Sequence, residues 1–251
     1  MEYKVTVIIR TRNRQDLVIR AIESVYNQFM RSSIQCLVIN DNSSDSTPGL
    51  IRDWLSSHSD FRLDLVNLPT NVKNGGALIS SKDYILGNYV IVLDDDDYYV
   101  NPNGLEILYD KCISENLDVL FPSTHGGIDA PHVYLMFRSE LFKKCPISRI
   151  HYMEDHYTHW FSFNSSYKSG FYVLNPFLSI HPSKTNYFDK DYSEDFKLHR
   201  IFENLFYESL RFHINYKSLH EDFLRVDYDL LSDHIKPTYI EIKNEFNRLG
   251  L

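Results

Sequence analysis

The chain is poor in cysteine, in positive charge and in long apolar runs, and each shortage removes a class of protein. Its three cysteines, Cys36, Cys112 and Cys145, are odd in number and far apart, without a CxxC pair. Neither a disulfide framework nor a zinc site is signalled, and a reducing compartment is the simplest setting. Basic residues number 26 against 34 acidic ones, a formal charge of -8. General affinity for nucleic acid or anionic lipid is therefore not expected, because both need a basic footprint. No stretch approaches the roughly 18 apolar residues that span a bilayer, and the opening "YKVTVIIRTRNR" lacks the pattern of a cleavable leader. The expectation is a cytoplasmic protein. Internal repeats and low-complexity linkers are also missing, so any division of the chain rests on changes of pattern.

What is present is 43% hydrophobic and 14% aromatic content over 251 residues, enough for one large or two modest cores. "VTVII" is a buried-strand candidate, and Leu17, Val18, Ala21, Ile22, Val25 and Tyr26 then recur at helical spacing, with Asn13 placed to cap that helix. "CLVIN" predicts a second strand, Leu50, Ile51, Trp54 and Leu55 a second helix, "LDLVNL" a third strand, "GALISSKDYIL" a short helix and "YVIVL" a fourth strand. Such alternation means βαβ units, hence an α/β fold whose mainly parallel sheet is flanked by helices on both faces. Near Asn101 the pattern changes to a helix ("PNGLEILYDKCISEN"), a strand ("LDVLFPS"), a Gly-Gly turn, a strand-like "HVYLMF" and a short helix "RSELFKK". After His181 the chain is polar and aromatic with helical spacing, which predicts two or three helices. The expected organisation is one domain in two halves, 1–100 and 101–190, and a helical C-terminal extension over 191–251.

Ligands of open parallel sheets bind at the carboxyl ends of the strands. Thr11 and Asn13 follow the first strand, Asp41 the second, and the four aspartates Asp94 to Asp97 the fourth. Four adjacent carboxylates repel one another unless they are solvated or share a cation. Asp94 and Asp96, two apart, point to the same side of an extended segment and can hold one hard ion, Mg²⁺ or Mn²⁺, that keeps positions open for phosphate oxygens. The bland alternative is a solvated acidic turn capping the helix that starts near Pro102; the preceding buried strand and the position at the sheet edge favour a site. An EF-hand loop starting at Asp94 fails, because Tyr98, Tyr99 and Leu105 stand where oxygen ligand, glycine and glutamate are needed. A haloacid-dehalogenase-type phosphatase would use Asp94 as nucleophile, but its motif sits on the first strand, and here three strands precede it.

Taken in order, the motifs resemble the family 2 glycosyltransferases, enzymes of the GT-A fold. "VTVIIRTRNR" looks like the family's opening strand and turn, with Arg10 where proline is common. "CLVINDNSSDST" is similar to its second-strand motif, with Asn40 in place of the first acid. "NVKNGGALISSKDYILGNYVIVLDDDD" resembles the segment leading to the metal-binding aspartates, with Lys82 in an arginine's place, and "HYMEDHYTHW" and "LSIHPSKT" look like the later Glu-Asp and histidine motifs. The resemblance covers roughly residues 3 to 185 and leaves the tail unmatched.

It implies a nucleotide-sugar donor, UDP-linked, in a Rossmann-like GT-A domain. Asp41 would accept from uracil N3, Thr11 and Asn13 would line the base pocket, and Lys82 and Asp95 would contact the donor. Asp96 would take Mn²⁺ or Mg²⁺, supported by Asp94 and by His181 as a further ligand or diphosphate contact. Asp155 would be the base for the acceptor hydroxyl, with Glu154 beside it, giving single-displacement transfer with inversion. The acceptor would be a glycan or lipid-linked sugar of a bacterial surface polysaccharide, O-antigen or capsule. His151, His156 and His159 have spacings better suited to acceptor contacts or packing than to zinc. The aromatic tail would bury a homodimer face or touch the inner face of the membrane peripherally. Two other readings stand beside this one: a phosphohydrolase with Asp94 as nucleophile, and a non-catalytic nucleotide-sugar-binding subunit.

Overall fold

A computed structural model describes residues 2–123, 135–145, 147, 167–174, 178–179, 198, 201, 216–231, 233, 236–248 and 250. The seven residues of β1 (Val5–Thr11) and of β2 (Ile34–Asn40) are all buried, as expected of central strands covered on both faces. β3 (Leu63–Asn67), more exposed, lies at one edge. After it the chain returns to β4 (Tyr89–Asp94) on the other side of β1, and β1 pairs in parallel with both β2 and β4. The seven-stranded sheet continues with β7 (Met136–Arg138), β6 (Val119–Ser123) and β8 (Ser169–Val173), in the order β3-β2-β1-β4-β7-β6-β8. β7 runs antiparallel to both neighbours, while β6 and β8 are parallel to each other. A two-stranded ribbon of β5 (Tyr98–Tyr99) and β9 (Leu178–Ser179) stands apart from the sheet.

Side-chain alternation along β1 divides the core. Val5, Val7 and Ile9 face α1 (Val18–Tyr26), α2 (Thr47–Ser57) and α4 (Gly104–Ser114), through Ile22, Trp54, Leu108 and their neighbours. Ile8 faces the other layer, built on α3 (Lys73–Ser81) and α5 (Ser139–Lys144) with Ala77, Leu78, Leu141 and Phe142. Between them lies the two-sided α/β sheet that the alternation of elements predicts. At the amino edge, the Thr6 hydroxyl donates to Gln35 Oε1 at 2.7 Å and accepts from the Gly87 amide, while Gln35 Nε2 donates to Asp64 and to the Tyr84 carbonyl. These bonds fix the register of β1, β2 and the entrance to β4. In the tail, α6 (Tyr216–Phe223) and α7 (Lys236–Arg248) meet through Phe223, Tyr239 and Phe246.

One local expectation is corrected. Asn13 does not cap the first helix: α1 begins at Val18, after a turn in which the Arg14 carbonyl accepts from the amides of Leu17 and Val18. Asn13 instead adopts a left-handed φ of 55°, which asparagine tolerates better than most residues. Of the strand expected over "HVYLMF", Met136–Arg138 forms β7, and residues 132–134 lie outside the described residues.

Candidate active site

The strand order reverses at β1, so the crevice outside the carboxyl ends of β1 and β4 is the switch point at which such sheets bind ligands. Four aspartates leave β4 there through a turn closed by the Asp97 amide, which donates to the Asp94 carbonyl at 3.2 Å. The turn brings Asp97 back beside its predecessors. Carboxylate oxygens of Asp94, Asp96 and Asp97 lie within 4.8 Å of one another, the first two partly exposed and Asp97 buried. An all-carboxylate donor set with some solvent access suits a hard divalent cation of the Mg²⁺ or Mn²⁺ type. Strand alternation alone would bring Asp94 and Asp96 into such a set; the turn adds Asp97, which an extended strand does not foresee.

Positive charge is built into the crevice. Arg10, the register partner of Asp94 across β1 and β4, donates from Nη2 to Asp94 Oδ1 at 2.7 Å. Arg14 Nε lies 3.6 Å from Asp95 Oδ1. From α1, Arg20 donates to the Asp96 carbonyl at 2.8 Å and stacks on the Tyr98 ring at 4.5 Å, fixing the turn's outer side. Asp95 is not part of the acidic trio and lies beside Thr11 and Arg14. Burial pushes its pKa up to about 7, against the lowering effect of the Thr11 hydroxyl and Arg14 and with the repulsion of Asp96 and Asp94. None of these arginines is singled out from the sequence as a site residue. The available signal is the run "RTRNR" at the end of a strand bound for the same edge as "DDDD".

Asp41, at the end of β2, is buried and accepts from the backbone amides of Val72 at 2.7 Å and Lys73 at 2.9 Å. It therefore holds the start of α3, whose first residue Lys73 has a left-handed φ of 63°. Burial raises its pKa, opposed by those two amides and by the charges of Arg12 and Lys73. Asn13 ties the first loop to the second: its Oδ1 accepts from the Ser44 amide at 2.8 Å, and its own amide donates to Ser43 Oγ. Thr11, Asn13, Asp41, Asp94, Asp95 and Asp96 thus share the carboxyl edge. Lys82 does not join them. It follows α3 at the amino edge, beside the Tyr84 carbonyl that Gln35 binds, and its ammonium donates to the Cys145 carbonyl at 2.6 Å. The short α3 carries it one helix length, about 13 Å, from the Asp41 end. Asp155, Glu154 and His181 lie outside the described residues, as do His151, His156 and His159.

A profile of the family described as Glycosyl transferase family 2 matches residues 6–175, more than half of the chain. The chain belongs to the family 2 glycosyltransferases. Among curated relatives, the succinoglycan biosynthesis protein ExoO of Rhizobium meliloti (strain 1021) is 31% identical over 123 residues, 46% of this chain and 34% of that protein. The match thus spans about a third of the relative's length. Among solved structures, the 1–349 fragment of S. aureus TarS in complex with UDP-GlcNAc superposes with a TM-score of 0.67 at 15% identity, covering 95% of this chain and 79% of that one. The mannosyltransferase PcManGT of Pyrobaculum calidifontis, in complex with GDP-Man and Mn²⁺, gives a TM-score of 0.64 at 17% identity, covering 89% and 70%. The fold of this glycosyltransferase is therefore GT-A, and the family match sets the phosphohydrolase alternative aside. No helix among its described residues is long and apolar enough to cross a membrane.

Proposed function

We propose that this glycosyltransferase moves a sugar from a UDP-sugar to a glycan or lipid-linked acceptor, with inversion, during assembly of a bacterial surface polysaccharide at the cytoplasmic face of the membrane. The observation that carries the reading is the convergence of Asp94, Asp96 and Asp97 on one point outside the switch of a GT-A sheet. A Mn²⁺ or Mg²⁺ ion held by Asp96 and Asp97, with Asp94 beside it, would supply positive charge where the leaving diphosphate becomes more negative. The chain's own groups do the rest. Thr11, Asn13 and Asp41 frame the nucleotide pocket, Asp41 by holding the Val72–Lys73 backbone as well as by offering its remaining lone pairs to a base edge. Asp95, with Arg14 beside it, stands against the donor. Asp155 takes the proton from the acceptor hydroxyl, Glu154 orients the acceptor, and His181 adds a contact to the diphosphate or the ion. The exposed Leu224, Leu230 and Ile240 of the tail support its contact with a second copy or a membrane surface.

Calorimetry with UDP, GDP, CDP and UDP-sugars, with and without Mn²⁺, tests this. Selective, ion-dependent UDP binding that Asp96→Ala abolishes is expected. If no nucleotide binds to the wild-type chain under any condition, the transferase reading is wrong.

A further inference from the structure

The acidic crevice contains a cation of its own. Arg10 and Asp94 are cross-strand partners on adjacent strands, with side chains on the same face of the sheet. Their atoms are 2.7 Å apart, and the Arg10 side chain is only 8% exposed against 31% for Asp94. A guanidinium cannot lose its proton in a protein and is planar enough to hold a carboxylate in a defined geometry. Being packed at the end of a central strand, it cannot swing into solvent as a surface arginine would. Its charge therefore stays beside Asp94, which itself lies within 4.8 Å of Asp96 and Asp97. A fixed positive charge so close to a divalent site opposes the ion.

We propose that Arg10 is an internal counter-ion of the aspartate cluster, weakening divalent-cation binding by the free protein so that ion and diphosphate are taken up together. The inference rests on the transferase reading above. Without nucleotide, the cluster is partly neutralised and the four carboxylates tolerate one another. A diphosphate brings negative charge that outweighs Arg10, so the ion binds better when nucleotide is present. By linkage, nucleotide then binds better with the ion to the same degree.

The test is Mn²⁺ binding to the full chain, followed by the electron paramagnetic resonance signal of free Mn²⁺, first without nucleotide and then with UDP. Arg10→Gln is expected to bind Mn²⁺ alone at least about ten-fold more tightly than wild type, and the enhancement by UDP should shrink accordingly. Equal, weaker or undetectable Mn²⁺ binding by Arg10→Gln overturns the proposal. Arg10→Met fills the buried site without a charge, covers the case in which Arg10→Gln does not fold, and should tighten Mn²⁺ binding to the same degree. Arg10→Lys keeps the charge and should stay within about three-fold of wild type. Tightening by Arg10→Lys as large as that by the uncharged variants would mean that the charge is not the cause, which also overturns the idea. Failure of every protein to bind UDP sinks the transferase reading, whereas the Mn²⁺ comparison without nucleotide is read independently.

Discussion

A buried carboxylate that accepts two backbone amides has no neutral substitute, and Asp41 is in that position. Asparagine keeps one acceptor oxygen but turns an NH₂ toward the other amide. The relief of an uncharged side chain works in the opposite direction. Leaving a buried N–H without a partner costs more than that relief, so Asp41→Asn should lower stability by about 1 kcal/mol in urea unfolding. Tyr89 offers a cleaner case. Its hydroxyl donates to the Leu117 carbonyl at 2.6 Å, and burial pushes its pKa from 10 up to about 12, with Arg138 pulling the other way. A raised folded-state pKa means a stabilising contribution that is complete below pH 10 and lost as pH climbs through 12. Tyr89→Phe should thus be about 1 kcal/mol less stable at pH 7, with the gap to wild type narrowing above pH 10 in pH-dependent thermal unfolding. Which residues were legible follows from where their partners sit. The aspartates could be placed because a strand's end is visible locally. Arg10 pairs with Asp94 across 84 positions and Asp41 with Val72 across 31, distances over which a single sequence carries no pairing signal.

At the level of elements, short apolar runs located β1 to β4 and helical spacing α1 to α5, since each buries apolar residues that its own sequence announces. The direction of β7 was not legible, because antiparallel insertion depends on a long-range partner. The ribbon of β5 and β9 escaped for the same reason: two-residue strands have no period. Lys82, assigned to the donor through its resemblance to a family arginine, follows α3 at the other edge of the sheet, where its ammonium meets the Cys145 carbonyl. The joint between α3 and β4 makes a direct test of packing. A Cβ on Gly87 would come within 2.5 Å of the Thr6 nitrogen and 2.6 Å of the Val5 carbonyl carbon, both backbone atoms of β1. The Gly87 carbonyl also accepts from the Ser139 hydroxyl, so three strands' ends meet there. Gly87→Ala should lower the urea midpoint by an amount equivalent to about 3 kcal/mol, because the central strand must move to admit one methyl group.

For the molecule as a whole, ligand linkage gives a readout that needs no acceptor. An ion and nucleotide that bind the native chain alone stabilise it by an amount set by their concentration over their dissociation constant. Saturating UDP with Mn²⁺ should raise the thermal midpoint of wild type by about 5 °C or more, at roughly 2–4 °C per kcal/mol for a chain of this size. Asp96→Asn with Asp97→Asn should show no such rise, and an undiminished rise in that double variant would remove the carboxylates from the ion's shell. The strand order has one more consequence, and it concerns the nascent chain. β1, buried along its whole length, is made well before β4, for which one of its two edges waits, and Arg10 meets Asp94 only after 84 further residues have been added. Until then an apolar strand keeps an open row of hydrogen-bonding groups, a template for the wrong partner. The same pairing that closes this edge assembles the crevice, so the charged site is completed by the step that ends the chain's exposure to aggregation.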